Sequence, residues 1–150
     1  MITPLDPTLA VSDVLIRALK GDGGLTAFTS SDRIYPETVP ADPVWPFVRI
    51  DGLVATPLLL DGAEGGGGGE VGGLIHCFAR PNPPSILDAR ATAAAMVAHV
   101  VRIVAAMDAA ELDDIAGARV DIHVRQARIA QDPGEAGAFH GIVTIAALAL

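Results

Sequence analysis

The sequence predicts an α+β fold, with about four strands in a mixed or antiparallel sheet, two helices packed on one face, and a long glycine-tipped β-hairpin. Three observations predict it. Two segments carry apolar residues at helical spacing. Val120, Ile122 and Val124 alternate with Asp121, His123 and Arg125, the period of a half-exposed strand. A run of five glycines, Gly65–Gly69, separates two further strand-like segments. At 150 residues, positions 1–150 are read as one domain. Hydrophobic residues make up 51% and charged residues 19%, enough apolar surface to offset chain entropy. Aromatics are only 4%, so the core is expected to be built of small and branched side chains, with Trp45, Phe47, Phe78 and Phe139 as its few large pieces.

Asp6-Pro7 reads as a helix N-cap followed by proline at the first helical position. Leu9, Leu15, Ile16 and Leu19 then recur at helical spacing until Gly21, placing the first helix over Pro7–Lys20. After the Gly21–Gly24 corner, Leu25, Phe28 and Ile34 read as apolar anchors of an irregular segment ending at Tyr35-Pro36. Pro36 to Pro46 holds four prolines and reads as extended chain without helix. A strand begins at Phe47 and runs toward Leu60, with Pro57 confining its ladder to an edge or a bulge. Its partner is expected over Val71–Ala79, with the glycines as a soft hairpin tip. Ser85 and Asp88 form a variant capping box, opening a second helix over Ile86–Met107. Its wheel places Ile86, Ala93, Val97, Val100, Val101 and Val104 on one face and Asp88, His99 and Arg102 on the other. In the third strand Gln126 falls on the apolar phase and Ile129 on the polar one, which predicts a bulge near Arg125–Ala127. Asp132-Pro133-Gly134 turns the chain into a fourth strand over Phe139–Leu148.

The chemistry of sites is sparse. The glycine run is followed by Glu70-Val71, without the Lys and Ser/Thr that a phosphate loop needs, and Glu64 and Glu70 repel phosphate. His76 and Cys77 are strand neighbours and point to opposite faces, so they share no site, and Cys77 reads as a small core residue. His99, His123 and His140 read as solvated or hydrogen-bonded. Glu111, Asp113 and Asp114 lack the ordered oxygen spacing of a calcium loop. No catalytic, cofactor-binding or metal-binding residue is assigned, and no enzyme activity is expected. A single cysteine excludes an intrachain disulfide, and the N-terminus lacks the basic and apolar regions of a secretory signal. The longest uninterrupted apolar stretches fall short of the roughly 20 residues of a membrane span. A net charge of −8 argues against phosphate-backbone binding. It fits ordinary solubilising charge first, and after that a surface past which DNA slides.

Taken in order, several segments resemble the tail-completion or tail-terminator proteins of long-tailed phages and gene transfer agents. The resemblance runs from about Ser12 to Leu148. It rests on Asp13–Leu19, Arg33-Ile34-Tyr35-Pro36, Val44–Ile50, Ile75–Ala79, Asp88-Ala89-Arg90-Ala91, Gln131-Asp132-Pro133 and His140-Gly141-Ile142-Val143. The glycine run departs from the usual family hairpin. The resemblance implies a structural protein without cofactor. It implies a homohexameric ring at the head-proximal end of a tail tube, which ends tube polymerisation and meets the head's connector or stopper protein. DNA would pass through the lumen without sequence-specific binding. The protein would then be assembled in a bacterial cytoplasm and reside in the virion, with no membrane partner. High alanine with a single lysine, Lys20, suits a GC-rich genome, and so a gene transfer agent as well as a phage. Another head–tail connector such as a stopper stays open, as does, from a different class, a small enzyme or ligand-binding domain. Within this reading the hairpin from about Leu53 to Gly73 is expected to make assembly contacts, through Val54, Leu58, Leu59, Leu60, Gly65, Gly69 and Glu70.

Overall fold

A computed structural model describes residues 7–57, 69–81, 86–107 and 120–149. Helix α1 (Pro7–Lys20) is followed by one helical turn, α2 (Gly23–Thr26), and a short 3₁₀ turn over Ser31–Arg33. The strands are β1 (Ile34–Pro36), β2 (Phe47–Pro57), β3 (Gly69–Ala79), β4 (Val120–Gln131) and β5 (Phe139–Ala149), with helix α3 (Ile86–Met107) between β3 and β4. They form a mixed five-stranded sheet of order β1-β2-β3-β5-β4. Only the β1–β2 pair is parallel. The fold class read from sequence holds, with β1 as an added short edge strand and α2 as an added turn.

Both long helices lie on one sheet face, α1 over the β1–β2–β3 side and α3 over β3, β5 and β4. The core fills the space between. Val11, Val14, Leu15 and Leu19 of α1 and Met96, Val97, Val100 and Val104 of α3 bury against Val48, Ile50, Val71, Ile75, Cys77, Ile122, Val143 and Ile145 of the sheet. By length and composition, Asp88–Met107 of α3 is long and apolar enough to cross a membrane, its charged residues being few. In the fold this helix is the core helix of the sheet. Leu9 departs from its expected place and is 57% exposed, since the buried face of α1 is set by Ala10, Val11, Val14 and Leu15. Of the anchors after Gly24, Leu25 and Ile34 are buried and Phe28 is 36% exposed, its ring against His99.

Two bulges shape the sheet. In β4 the register slips between Val124 and Gln126, which leaves Arg125 as the extra residue and returns Ile129 to the helix-side phase, opposite Gly141. In β2 Gly52 and Leu53 together oppose one residue of β3, and Gly52 takes the left-handed conformation (φ 63°) that glycine accepts without a Cβ penalty. Asp22 ties the first corner to α3: its Oδ1 accepts from the Leu25 amide at 3.0 Å and from Arg102 Nη2 at 2.8 Å. The guanidinium holds this carboxyl below the ordinary carboxylate range. The proline segment is pinned at its end, where Thr29 Oγ1 donates to the Pro46 carbonyl and Arg33 Nη1 to the Trp45 carbonyl.

Candidate assembly surface

The sheet face opposite the helices carries no helix among the described residues, and strand alternation decides what it displays. Once Val48, Ile50, Ile75, Cys77, Val143 and Ile145 point to the helices, their neighbours point away. Phe47, Arg49 and Asp51 of β2, Leu74, His76 and Phe78 of β3, and His140, Ile142 and Thr144 of β5 therefore share the open face.

At one end of this face the aromatics gather. Phe47 stacks on Phe78 with centroids 4.6 Å apart, Phe78 stacks on His140 at 4.2 Å, and Trp45 meets Phe47 and Phe78 edge-on at 5.0 and 6.0 Å. Arg49 lies over the Phe78 ring and Arg80 over Trp45, each 5.6 Å from the centroid. This corrects one expectation. Trp45, Phe47 and Phe78 do not fill the core as their size and apolarity suggest, but build a second cluster across the sheet from it. Phe139 is only half-buried. Among the described residues the helix-side core consists of aliphatic side chains, two methionines and Cys77, because the helices sit close to the sheet and leave no room for rings. At Gly141, for example, a Cβ would stand 2.3 Å from Val97 Cγ2.

The same cluster holds the groups that sequence reasoning leaves apart. His76 Nδ1 and His140 Nε2 face each other within hydrogen-bond distance, 64 residues apart in the chain. His76 is 6% exposed, and burial, then His140, then Arg49 push its imidazole down to about 4. Burial likewise lowers His140. The 3.6 Å approach of Asp51 Oδ2 to His76 Nε2 therefore pairs a carboxylate with a neutral ring at neutral pH and is no ion pair. Asp51 has its charge partner in Arg49, at 3.1 Å. Strand parity is the signal that finds this pair: His76 and His140 sit on the same face as soon as β3 and β5 are neighbours. Cys77 points the other way into the core, where burial raises its thiol to about 12, in keeping with an inert core residue.

At the other end lies a groove of about 430 Å³, floored by Gly72 and Ala146 and walled by Val54, Glu70, Leu74 and Arg125. It contains two of the residues expected to make assembly contacts. Val54 is 65% exposed, and Glu70 reaches Arg125 at 3.6 Å across β5. Gly69 is buried in the ladder opposite Pro57 and Ala149. Leu58, Leu59, Leu60 and Gly65 lie outside the described residues, as do Ser85 and the acidic residues 111–114. Beside the groove, β1 covers β2 only from Val48 to Ile50, so among the described residues Asp51–Pro57 is an edge strand. Such an edge offers unpaired amides and carbonyls to another chain. Among the described residues no three His, Cys, Asp or Glu converge as metal ligands.

The family model described as Tail completion protein gp17 matches residues 13–149. A comparison with curated proteins gives no match. One similar solved structure is a chain of "Virion of native gene transfer agent (GTA) particle", with a TM-score of 0.71, 14% identity and 93% of each chain covered. At that identity the likeness concerns the fold, and the family match carries the identity. The chain belongs to the tail completion protein family, as a structural protein of a phage-like virion tail and not an enzyme.

Proposed function

We propose that residues 1–150 act as one tail-terminator domain, assembling as a homohexameric ring on the head-proximal end of a tail tube. The ring ends tube polymerisation and presents its other side to the connector or stopper protein of the head, while DNA passes through the lumen without sequence-specific contact. The observation that carries this reading is the family match over residues 13–149. Geometry supports it through the Asp51–Pro57 edge and the exposed Val54 beside the groove. Heterologous contacts between such surfaces close into rings when the rotation between copies allows. The net charge of −8 suits a lumen that DNA traverses without adhering. In this reading Val54, Leu58, Leu59, Leu60, Gly65, Gly69 and Glu70 belong to the contact between subunits or with the tube.

The test is a mass measurement on the purified chain with its tail-tube protein, by analytical ultracentrifugation and native mass spectrometry. A tube-dependent assembly of six copies is expected. A chain that stays monomeric in the presence of assembled tubes would remove the ring from the account.

A further inference from the structure

The aromatic cluster contains a proton-sensitive element that a tail role neither requires nor explains. His76 on β3 and His140 on β5 oppose one nitrogen each, with ring centroids 4.7 Å apart. A hydrogen bond between two imidazole nitrogens uses one proton, because one ring must donate and the other must accept. His140 also lies flat on Phe78, which lies flat on Phe47, and Trp45 closes the stack edge-on. The contact between the two histidines is thus built into the packing of the whole cluster.

Charged groups reach the pair from every strand around it. Asp51 of β2 and Asp132 of the turn after β4 favour imidazolium, whereas Arg49 of β2 and Arg128 of β4 oppose it together with burial. The opposing influences win on both rings, so the folded cluster holds the pair neutral at neutral pH. A first added proton can sit on the outer nitrogen of the donor ring and leaves the hydrogen bond intact. A second makes both rings imidazolium, turns both facing nitrogens into donors, removes the acceptor and sets like charges in contact. Solvent screens them little on the His76 side, since that residue is 6% exposed.

We propose that His76 and His140 form a proton-gated latch, closed at neutral pH, whose opening on acidification unstacks Phe78 and releases Trp45 from the open sheet face. The latch concerns this chain's own packing and does not depend on the tail-terminator reading. The sign follows from linkage. Both rings take up protons less readily folded than unfolded, so the unfolded chain binds more protons as pH falls below the ordinary histidine range. Stability conferred by the closed latch is complete above about pH 6.5 and declines toward the value of about 4 that His76 reaches in the fold.

Trp45 is the only tryptophan in the chain, so its fluorescence reads the cluster directly. In a titration from about pH 8 to about pH 3, Trp45 emission is expected to shift to the red in one step below the ordinary histidine range, while far-ultraviolet circular dichroism keeps its folded signal. His140→Phe keeps a ring on Phe78 and takes no proton, and its emission should stay flat. Proton NMR of the histidine rings in the unaltered chain needs no variant: two rings should titrate together, in step with the Trp45 shift. Flat wild-type emission would overturn the latch. So would an unchanged transition in His140→Phe, a loss of circular dichroism in the same step, or histidine titrations out of step with Trp45.

Discussion

Replacing Gly141 with valine will lower the free energy of unfolding by about 1–3 kcal/mol, through overpacking between β5 and α3. A Cβ at this position would lie 2.3 Å from Val97 Cγ2 and 3.5 Å from both the Ala93 carbonyl oxygen and Cys77 Cβ. Val97 has little room to turn aside, because a β-branched residue in a helix has essentially one χ1 rotamer. The Ala93 carbonyl oxygen and Cys77 Cβ stand at ordinary contact distance, so the clash to be relieved is the one with Val97. Opposing this, valine suits a strand better than glycine by up to about 1 kcal/mol. The clash is the larger effect and decides the sign. Denaturant unfolding measures it, and at roughly 2–4 °C per kcal/mol the loss also shows in thermal melting. Adding Val97→Ala opens the space that the new side chain needs. The double variant should therefore be less destabilised than the sum of the two single changes by about 0.5–3 kcal/mol. Strict additivity would mean that α3 does not rest on Gly141.

The second large effect concerns assembly and should leave the fold alone. Leu58→Ser with Leu60→Ser is expected to preserve the unfolding transition of the isolated chain and to reduce the yield of head-joined tails at least tenfold. Leu58 and Leu60 follow directly on an edge strand whose last described apolar side chains include the exposed Val54. A fully buried leucine contributes about 1.5–3 kcal/mol, and every 1.4 kcal/mol is a factor of about ten in affinity. Ordering the segment costs about 1–2 kcal/mol of backbone entropy per residue, which only a well-buried contact offsets. Removing two leucines should then move the balance past zero. Val54→Ser, on the described part of the strand, should weaken assembly in the same direction and by less. Normal tail joining by the double variant would deny the hairpin an assembly role and make the glycine run a tolerated insertion.

The legible parts of the fold are those with local punctuation. The bounds of α1 and α3 follow from Pro7 and Gly21 at one helix and from the break after Pro84 at the other. The β4 bulge is readable because Gln126 and Ile129 reverse the polarity of the strand around Arg125. The β2 bulge has a weaker signal, a glycine inside a strand at Gly52. What stays hidden depends on contacts distant in sequence. Three-residue β1 exists only because β2 offers a parallel partner at Val48–Ile50. Sequence reasoning puts the aromatics in the wrong layer because it weighs their size and apolarity above strand phase, although Phe47 shares its phase with Arg49 and Asp51, and Phe78 with His76. The choice is made by helices that fit over valine, isoleucine and glycine and leave the rings to the far side. The histidine pair needs strand order as well as parity, since its partners meet only through the β3–β5 ladder. Of the expected assembly residues, Val54 and Glu70 come together in one groove, which no local pattern announces.

Tail length is the measurement that bears most directly on the proposed role. Particles produced with this chain deleted should be compared by electron microscopy with those of the complemented strain. If the chain caps the tube, its loss should give tubes of irregular, excessive length that carry no heads, and re-expression should restore uniform joined tails. Tubes of normal length attached to heads in the absence of the chain would contradict the account at its centre.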